Sequence, residues 1–286
     1  MKPVSWRAQA PKIKHSITEQ DTGHNGGGHR PEHFPMTHPF PEWPYPKLIA
    51  HRGAGRQAPE NTLAAVRLGA ARGFRMMEYD VKLSADDVPI LLHDDTLERT
   101  SNGSAAAAAL RYAELARYDF GSWHSAPYAG EPLATLYSIA AYTRANNVHS
   151  NIEIKPSPGL EDHSGERIAR LAAQLWAGAA LPPLLSSFSE IALAAAGDAA
   201  PEVPRALLIA KELPPDWRER AARLSCCALN LNHTYVTAEI VRQVRDAGLN
   251  LATWTVNEAG RARELLRWGC NAIITDEVET MAPGQF

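Results

Sequence analysis

Cysteine is nearly absent from this chain. There are three in 286 residues, Cys226 and Cys227 side by side and Cys270 apart. That number and spacing exclude a disulfide framework and a structural zinc site, and they suit reduced thiols in the cytoplasm. Charge of one sign is lacking too: 29 Lys plus Arg stand against 32 Asp plus Glu, for a net charge of -3. Without a basic excess there is no footprint for a nucleic-acid backbone, so a general nucleic-acid binder is excluded. No apolar run reaches the roughly 18 residues of a membrane-spanning helix. No internal repeat recurs, and the first residues carry no apolar signal-peptide core. What remains is ordinary globular composition, 45% hydrophobic and 21% charged, long enough for one large domain.

The N-terminus differs from the rest. Residues 1–42 read as a disordered extension, with Gly26-Gly27-Gly28, His15, His24, His29 and His33 and few large apolar residues. Met36 is an alternative start. The working domain is expected over 43–286. Within it short apolar runs recur at 48–50, 76–83, 89–92, 151–154, 184–187, 206–209, 228–231, 249–256 and 272–274. Amphipathic stretches lie between several of them. Asn61 or Thr62 caps one that ends at Gly73, Thr237 opens another that ends at Gly248, and a third runs from 257 to 269. Strand–helix alternation over this length predicts an α/β fold, a distorted (β/α)8 TIM-type barrel. Nine candidate strands exceed the eight a barrel uses, so one is expected outside the ring or misassigned. Between about 96 and 136 the alternation breaks, and a small insertion after the third strand is predicted there.

Function on such a barrel sits where its strands end. The first strand ends in His51-Arg52-Gly53: a titratable ring, a planar donor fork suited to phosphate, and a glycine that permits a tight turn. On the second strand Glu78 and Asp80 alternate onto one side, the barrel interior. Two buried carboxylates that close repel and lose hydration unless a cation neutralises them. The third run ends in His93-Asp94-Asp95, and the fourth carries Glu153 and Lys155 on one face. Three carboxylates suit one hard divalent cation, and two histidines can share proton transfer. Arg52 and Lys155 can hold a phosphoryl oxygen. The set fits metal-assisted cleavage of a phosphodiester. Phe188 and Trp254 are candidates for an apolar wall against a small alcohol group. Asp276 reads as a helix cap, and Asp119 and Glu131 have no assigned role.

The same residues carry a family resemblance. HRG (51–53), PENT (59–62), the E-x-D pair (78–80), HDDTLERTSNG (93–103), NIEIKP (151–156), LLSSF (184–188), LNLNH (229–233), WTVN (254–257) and ITD (274–276) follow one another in order. In these the chain resembles the glycerophosphodiester phosphodiesterases, most closely the cytosolic bacterial form linked to glycerol-3-phosphate uptake. The resemblance spans roughly 43–280. It implies a distorted barrel with an insertion, and hydrolysis of glycerophosphodiesters to an alcohol and sn-glycerol 3-phosphate in glycerol and lipid metabolism. It implies Glu78, Asp80 and Glu153 as ligands of one divalent metal, Mg2+ or Ca2+. It implies His51 and His93 as the acid–base pair, with Arg52 and Lys155 on the phosphate. His93 is the residue expected to protonate the leaving alcohol. A lysophospholipase D-type phosphodiesterase and a non-catalytic phosphodiester-binding barrel are the rival readings. The expected partner is a small-molecule substrate, in the cytoplasm, with no nucleic acid and no membrane span. Open at this point are the head group, the metal, the nucleophile (water or the substrate's 2-hydroxyl), the first base, and whether the chain is a monomer or a dimer.

Overall fold

The computed structural model describes residues 42–286. The expected N-terminal extension, its four histidines and Met36 lie outside them, save for Glu42. In chain order the elements are β1 Leu48–Ala50, α1 Leu63–Ala71, β2 Met76–Leu83, β3 Pro89–Leu91, α2 Tyr112–Leu115 and α3 Leu136–Ala145. There follow β4 His149–Ile154, α4 Glu161–Leu175, β5 Leu184–Ser187, α5 Glu190–Ala199, β6 Arg205–Ile209 and α6 Trp217–Arg223. The chain ends with β7 Ala228–Asn232, α7 Ala238–Asp246, β8 Asn250–Trp254, α8 Ala259–Trp268 and β9 Ala272–Thr275.

Eight strands pair in parallel in the order β1-β2-β4-β5-β6-β7-β8-β9, and β1 closes the ring against both β2 and β9. The ninth run is β3. It folds back antiparallel on β2, with Val81 opposite Leu91 and Leu83 opposite Pro89, and so stands outside the ring. The fold is the distorted TIM-type barrel expected from the sequence.

Strand pleating sorts side chains into three cores. Met77, Tyr79 and Val81 of β2 point outward into the layer between strands and helices. Ile49, Met76, Leu184, Ala206, Ala228, Ala252 and Ala272 point inward and fill the barrel where most strands begin. Tyr45, ahead of β1, joins that plug and donates to the Pro182 carbonyl at 3.0 Å. Ile90, Leu92, Leu97, Leu115, Phe120 and Leu133 form the insertion's own small core. The apolar plug fills one end of the lumen, so polar inward residues gather at the other.

Helix starts follow local chemistry. Thr62 caps α1 by accepting from Ala65 N at 3.1 Å, and Thr237 caps α7 by accepting from Ile240 N at 3.3 Å. Of the two residues offered for α1, Thr62 is the cap, and Asn61 is used elsewhere. Asp119 ties the insertion together by accepting from the backbone of Gly121, Ser122 and Gly130. Glu131 docks it on the barrel by accepting from Ala64 N at 3.0 Å. Among the described residues no helix is long and apolar enough to cross a membrane.

Candidate active site

The acidic centre follows from register. Asp80 on β2 pairs directly with Glu153 on β4, and Glu78 lies two residues back on the same inward face. Carboxylate oxygens of Glu78, Asp80 and Glu153 come within 4.8 Å of one another. All three residues are buried. Burial, then the neighbouring Asp80 charge, pushes the Glu78 carboxyl up to about 7 and that of Glu153 to about 8. Burial opposes the charge of Asp80 as well, yet Arg52 and Lys155 hold its pKa below the ordinary value.

Asn61, in a left-handed backbone conformation at φ +60°, clamps Asp80. Its amide donates to Asp80 Oδ2 at 2.9 Å while its carbonyl oxygen accepts from Asp80 N at 3.0 Å. Buried Glu78 Oε1 has no hydrogen-bond partner among the described residues. An orphaned carboxylate oxygen inside a trio of hard donors fits one divalent cation, with Glu78, Asp80 and Glu153 as its ligands.

Cations and histidines ring this centre. Arg52 lies at φ +51°, which turns its backbone N–H onto Glu78 Oε2 at 3.0 Å. Its Nε is 3.4 Å from Asp80 Oδ2 and its Nη1 donates to Glu60 Oε1 at 2.7 Å. Lys155 Nζ stands 3.0 Å from Glu153 Oε1 and 3.1 Å from His93 Nε2. His51 Nδ1 meets Asp276 Oδ1 at 2.6 Å, and its Nε2 is 3.8 Å from Glu78 Oε2. Burial works against charge on His51, but the Asp276 hydrogen bond and the Glu78 charge outweigh it and raise its pKa. His93 Nδ1 meets Asp94 Oδ1 at 2.6 Å. For this ring burial prevails and the pKa falls below the ordinary value.

Phe188 and Trp254 meet edge to face with ring centroids 5.5 Å apart. They border a cavity of about 100 Å³ together with His51, His93, Glu78 and Glu153. All nine residues singled out from the sequence therefore converge on one end of the barrel.

Two expectations need correction. His93 does not stand at the end of a ring strand: it reaches the centre because β3 doubles back alongside β2. Asp276 caps no helix. It follows β9, is held by Asn257 through a side-chain hydrogen bond at 2.9 Å and a backbone one at 2.9 Å, and orients His51. Gly55 makes this possible: its φ is +56°, and a Cβ there would lie 2.0 Å from the Asp276 carbonyl oxygen.

Sequence reasoning also passed over Lys82, Glu60 and Arg99. Lys82 is 1% exposed and donates to Asp95 Oδ1 at 2.6 Å and to the Asp94 carbonyl at 2.8 Å, pinning the His93 turn. The alternation that carries Glu78 and Asp80 inward continues to Lys82, so that signal was legible. The strand-end rule reached Asp276 equally.

Comparison with known proteins places these features. The glycerophosphoryl diester phosphodiesterase family profile matches residues 51–280. A glycerophosphodiester phosphodiesterase of Caldanaerobacter subterraneus subsp. tengcongensis is 29% identical over 238 residues, 82% of this chain and 95% of that protein. A solved phosphodiesterase of Oleispira antarctica, in complex with the product sn-glycerol-3-phosphate, is 33% identical with a TM-score of 0.76. The match covers 81% of this chain and 93% of that one. A glycerophosphodiester phosphodiesterase structure from Agrobacterium tumefaciens is 27% identical with a TM-score of 0.69, over 82% of this chain and 97% of that one.

Proposed function

The chain belongs to the glycerophosphoryl diester phosphodiesterase family, and from that premise we propose how it hydrolyses glycerophosphodiesters. The products are an alcohol and sn-glycerol 3-phosphate, and the latter is the product held by the Oleispira relative. His51 and His93 exchange the protons, and Arg52 and Lys155 hold the phosphoryl oxygens. Glu78, Asp80 and Glu153 hold one Mg2+ or Ca2+. The observation that carries this reading is the buried carboxylate trio with its orphaned oxygen, flanked by two histidines that each have a carboxylate behind them. When bound, a divalent ion supplies Lewis-acid neutralisation of the phosphoryl charge.

Lys155, an ammonium, can only donate, so His93 Nε2 is the accepting nitrogen and His93 is neutral. A neutral ring is a proton acceptor. His51, whose pKa Asp276 and Glu78 raise, is the donor to the leaving alcohol. This hydrogen bonding supports the reverse of the order expected from the sequence. The proton leaves either a water or the substrate's own 2-hydroxyl, which forms a cyclic phosphate that water then opens. Full-rate cleavage of a substrate lacking the 2-hydroxyl would eliminate the cyclic route. Phe188 and Trp254 wall the glycerol or alcohol group. The three cysteines are free and buried, which supports a reducing cytoplasmic setting.

A coupled assay tests the reading. Protein stripped with EDTA is given glycerophosphocholine, and release of glycerol 3-phosphate is followed with its dehydrogenase. Release is expected to vanish on stripping and to return with Mg2+ or Ca2+. Undiminished release after chelation would overturn the metal site.

A further inference from the structure

Arg99, in the insertion, stands behind the site and spends four of its five N–H donors on two carboxylates. Nε and Nη2 donate to Asp94 Oδ2 and Oδ1 at 2.6 and 3.0 Å. Nη1 and Nη2 donate to Glu60 Oε2 and Oε1 at 2.8 and 2.9 Å. Each carboxylate has a second partner. Asp94 Oδ1 takes His93 Nδ1 at 2.6 Å, and Glu60 Oε1 takes Arg52 Nη1 at 2.7 Å. One guanidinium therefore lies one carboxylate behind a histidine of the acid–base pair and one carboxylate behind the phosphate arginine.

We propose that Arg99 is a positioning residue that sets the orientations of His93 and Arg52 together, and that this is how the insertion takes part in the reaction. The proposal rests on the acid–base role of His93 and the phosphate role of Arg52. Its physical basis is a contrast of magnitudes. The Arg99 side chain is 44% exposed, so solvent screens its ion pairs and keeps their contribution to stability modest. Displacing a reacting group by about 1 Å, in contrast, costs on the order of 10²-fold in rate. A planar fork is needed to grip both carboxylates in two-point contacts, and a lysine ammonium has no such fork. Arg99 should thus matter far more for turnover than for folding.

The test is Arg99→Ala and Arg99→Lys, with His93→Ala as a control, assayed on glycerophosphocholine. Arg99→Ala is expected to lower kcat by about 10- to 100-fold, to change KM much less, and to leave the melting temperature nearly unchanged. Arg99→Lys should fall between it and the parent, and free guanidinium ion should restore part of the Arg99→Ala rate. Asp94→Asn added to Arg99→Ala should cost little more, because the two act as one unit. Multiplicative penalties in that double variant would overturn the proposal. So would an Arg99→Ala protein that keeps more than half the parent's kcat, or a fully active Arg99→Lys. Turnover surviving in His93→Ala would remove the acid–base reading itself. An inactive His93→Ala beside a fully active Arg99→Ala would remove only the role of Arg99.

Discussion

The two histidine corners of the site are built on opposite plans. His51 directly follows β1, a strand of the ring, and its partner Asp276 follows β9, the neighbouring ring strand. These partners are far apart in sequence, and their side chains are 19% and 18% exposed. His93 follows β3, outside the ring, and pairs with the next residue in the chain, with exposures of 32% and 29%. The first corner is positioned by backbone register, which the barrel imposes on every strand end. The second corner is registered to the ring only through the antiparallel pairing of β3 with β2, and side chains add to it: Lys82 and Arg99. A group at a ring-strand end is set mainly by strand register, whereas a group carried on an excursion leans more on side chains.

The largest effect should come from removing the rings. His51→Ala and His93→Ala are each expected to lower kcat by about 10²- to 10⁴-fold while the fold is kept. A substrate with a very acidic leaving group sharpens the contrast, because it needs no proton donor. It should restore turnover to His51→Ala and not to His93→Ala. The opposite pattern would return the donor role to His93.

Next come the carboxylates behind the rings. Asp276→Asn is expected to cost about 10²-fold and Asp94→Asn about tenfold, since His93 retains Lys155 on its other nitrogen. Asp276 raises the pKa of His51, so its loss should move the His51 limb of the pH–rate profile to lower pH. Equal penalties for the two substitutions would break the comparison.

The smallest effect is on stability. In the metal-free protein Glu78 and Glu153 are raised from an ordinary 4.5 to about 7 and about 8. Groups with raised folded-state pKa values stabilise fully below 4.5, and that contribution is lost as pH climbs through 7 to 8. The melting temperature of the EDTA-treated protein should therefore fall by a few degrees from pH 5 to pH 8. Added Mg2+ or Ca2+ should restore more at pH 8 than at pH 6, because the ion competes with protons for the same oxygens. A thermal scan across pH, with and without ion, checks this.

The strand–helix alternation, the insertion and the inward face of β2 were legible because they are periodic. Period-two alternation commits Glu78, Asp80 and Lys82 to one side whatever lies across from them, and the apolar runs mark nearly every ring strand. His51, Arg52, Glu153 and Lys155 were legible from strand ends alone. Asp276 obeyed the same rule and was read as a cap, because nothing local pairs it with a histidine 225 positions away. The antiparallel course of β3 was hidden too, since a three-residue strand has the same pattern in either direction.

By itself, then, the sequence determined which residue types would enter the lumen and that they would carry phosphodiester chemistry, because composition and alternation are properties of the chain alone. Tertiary structure decided which oxygen meets which nitrogen. Closure of β1 on β9 brought Asp276 to His51, the reversal of β3 carried His93 back to Lys155, and docking of the insertion set Arg99 between Asp94 and Glu60. These contacts depend on register and on loops packed across the barrel end. Such distances are set by the closing of the whole ring and not by any local run of residues.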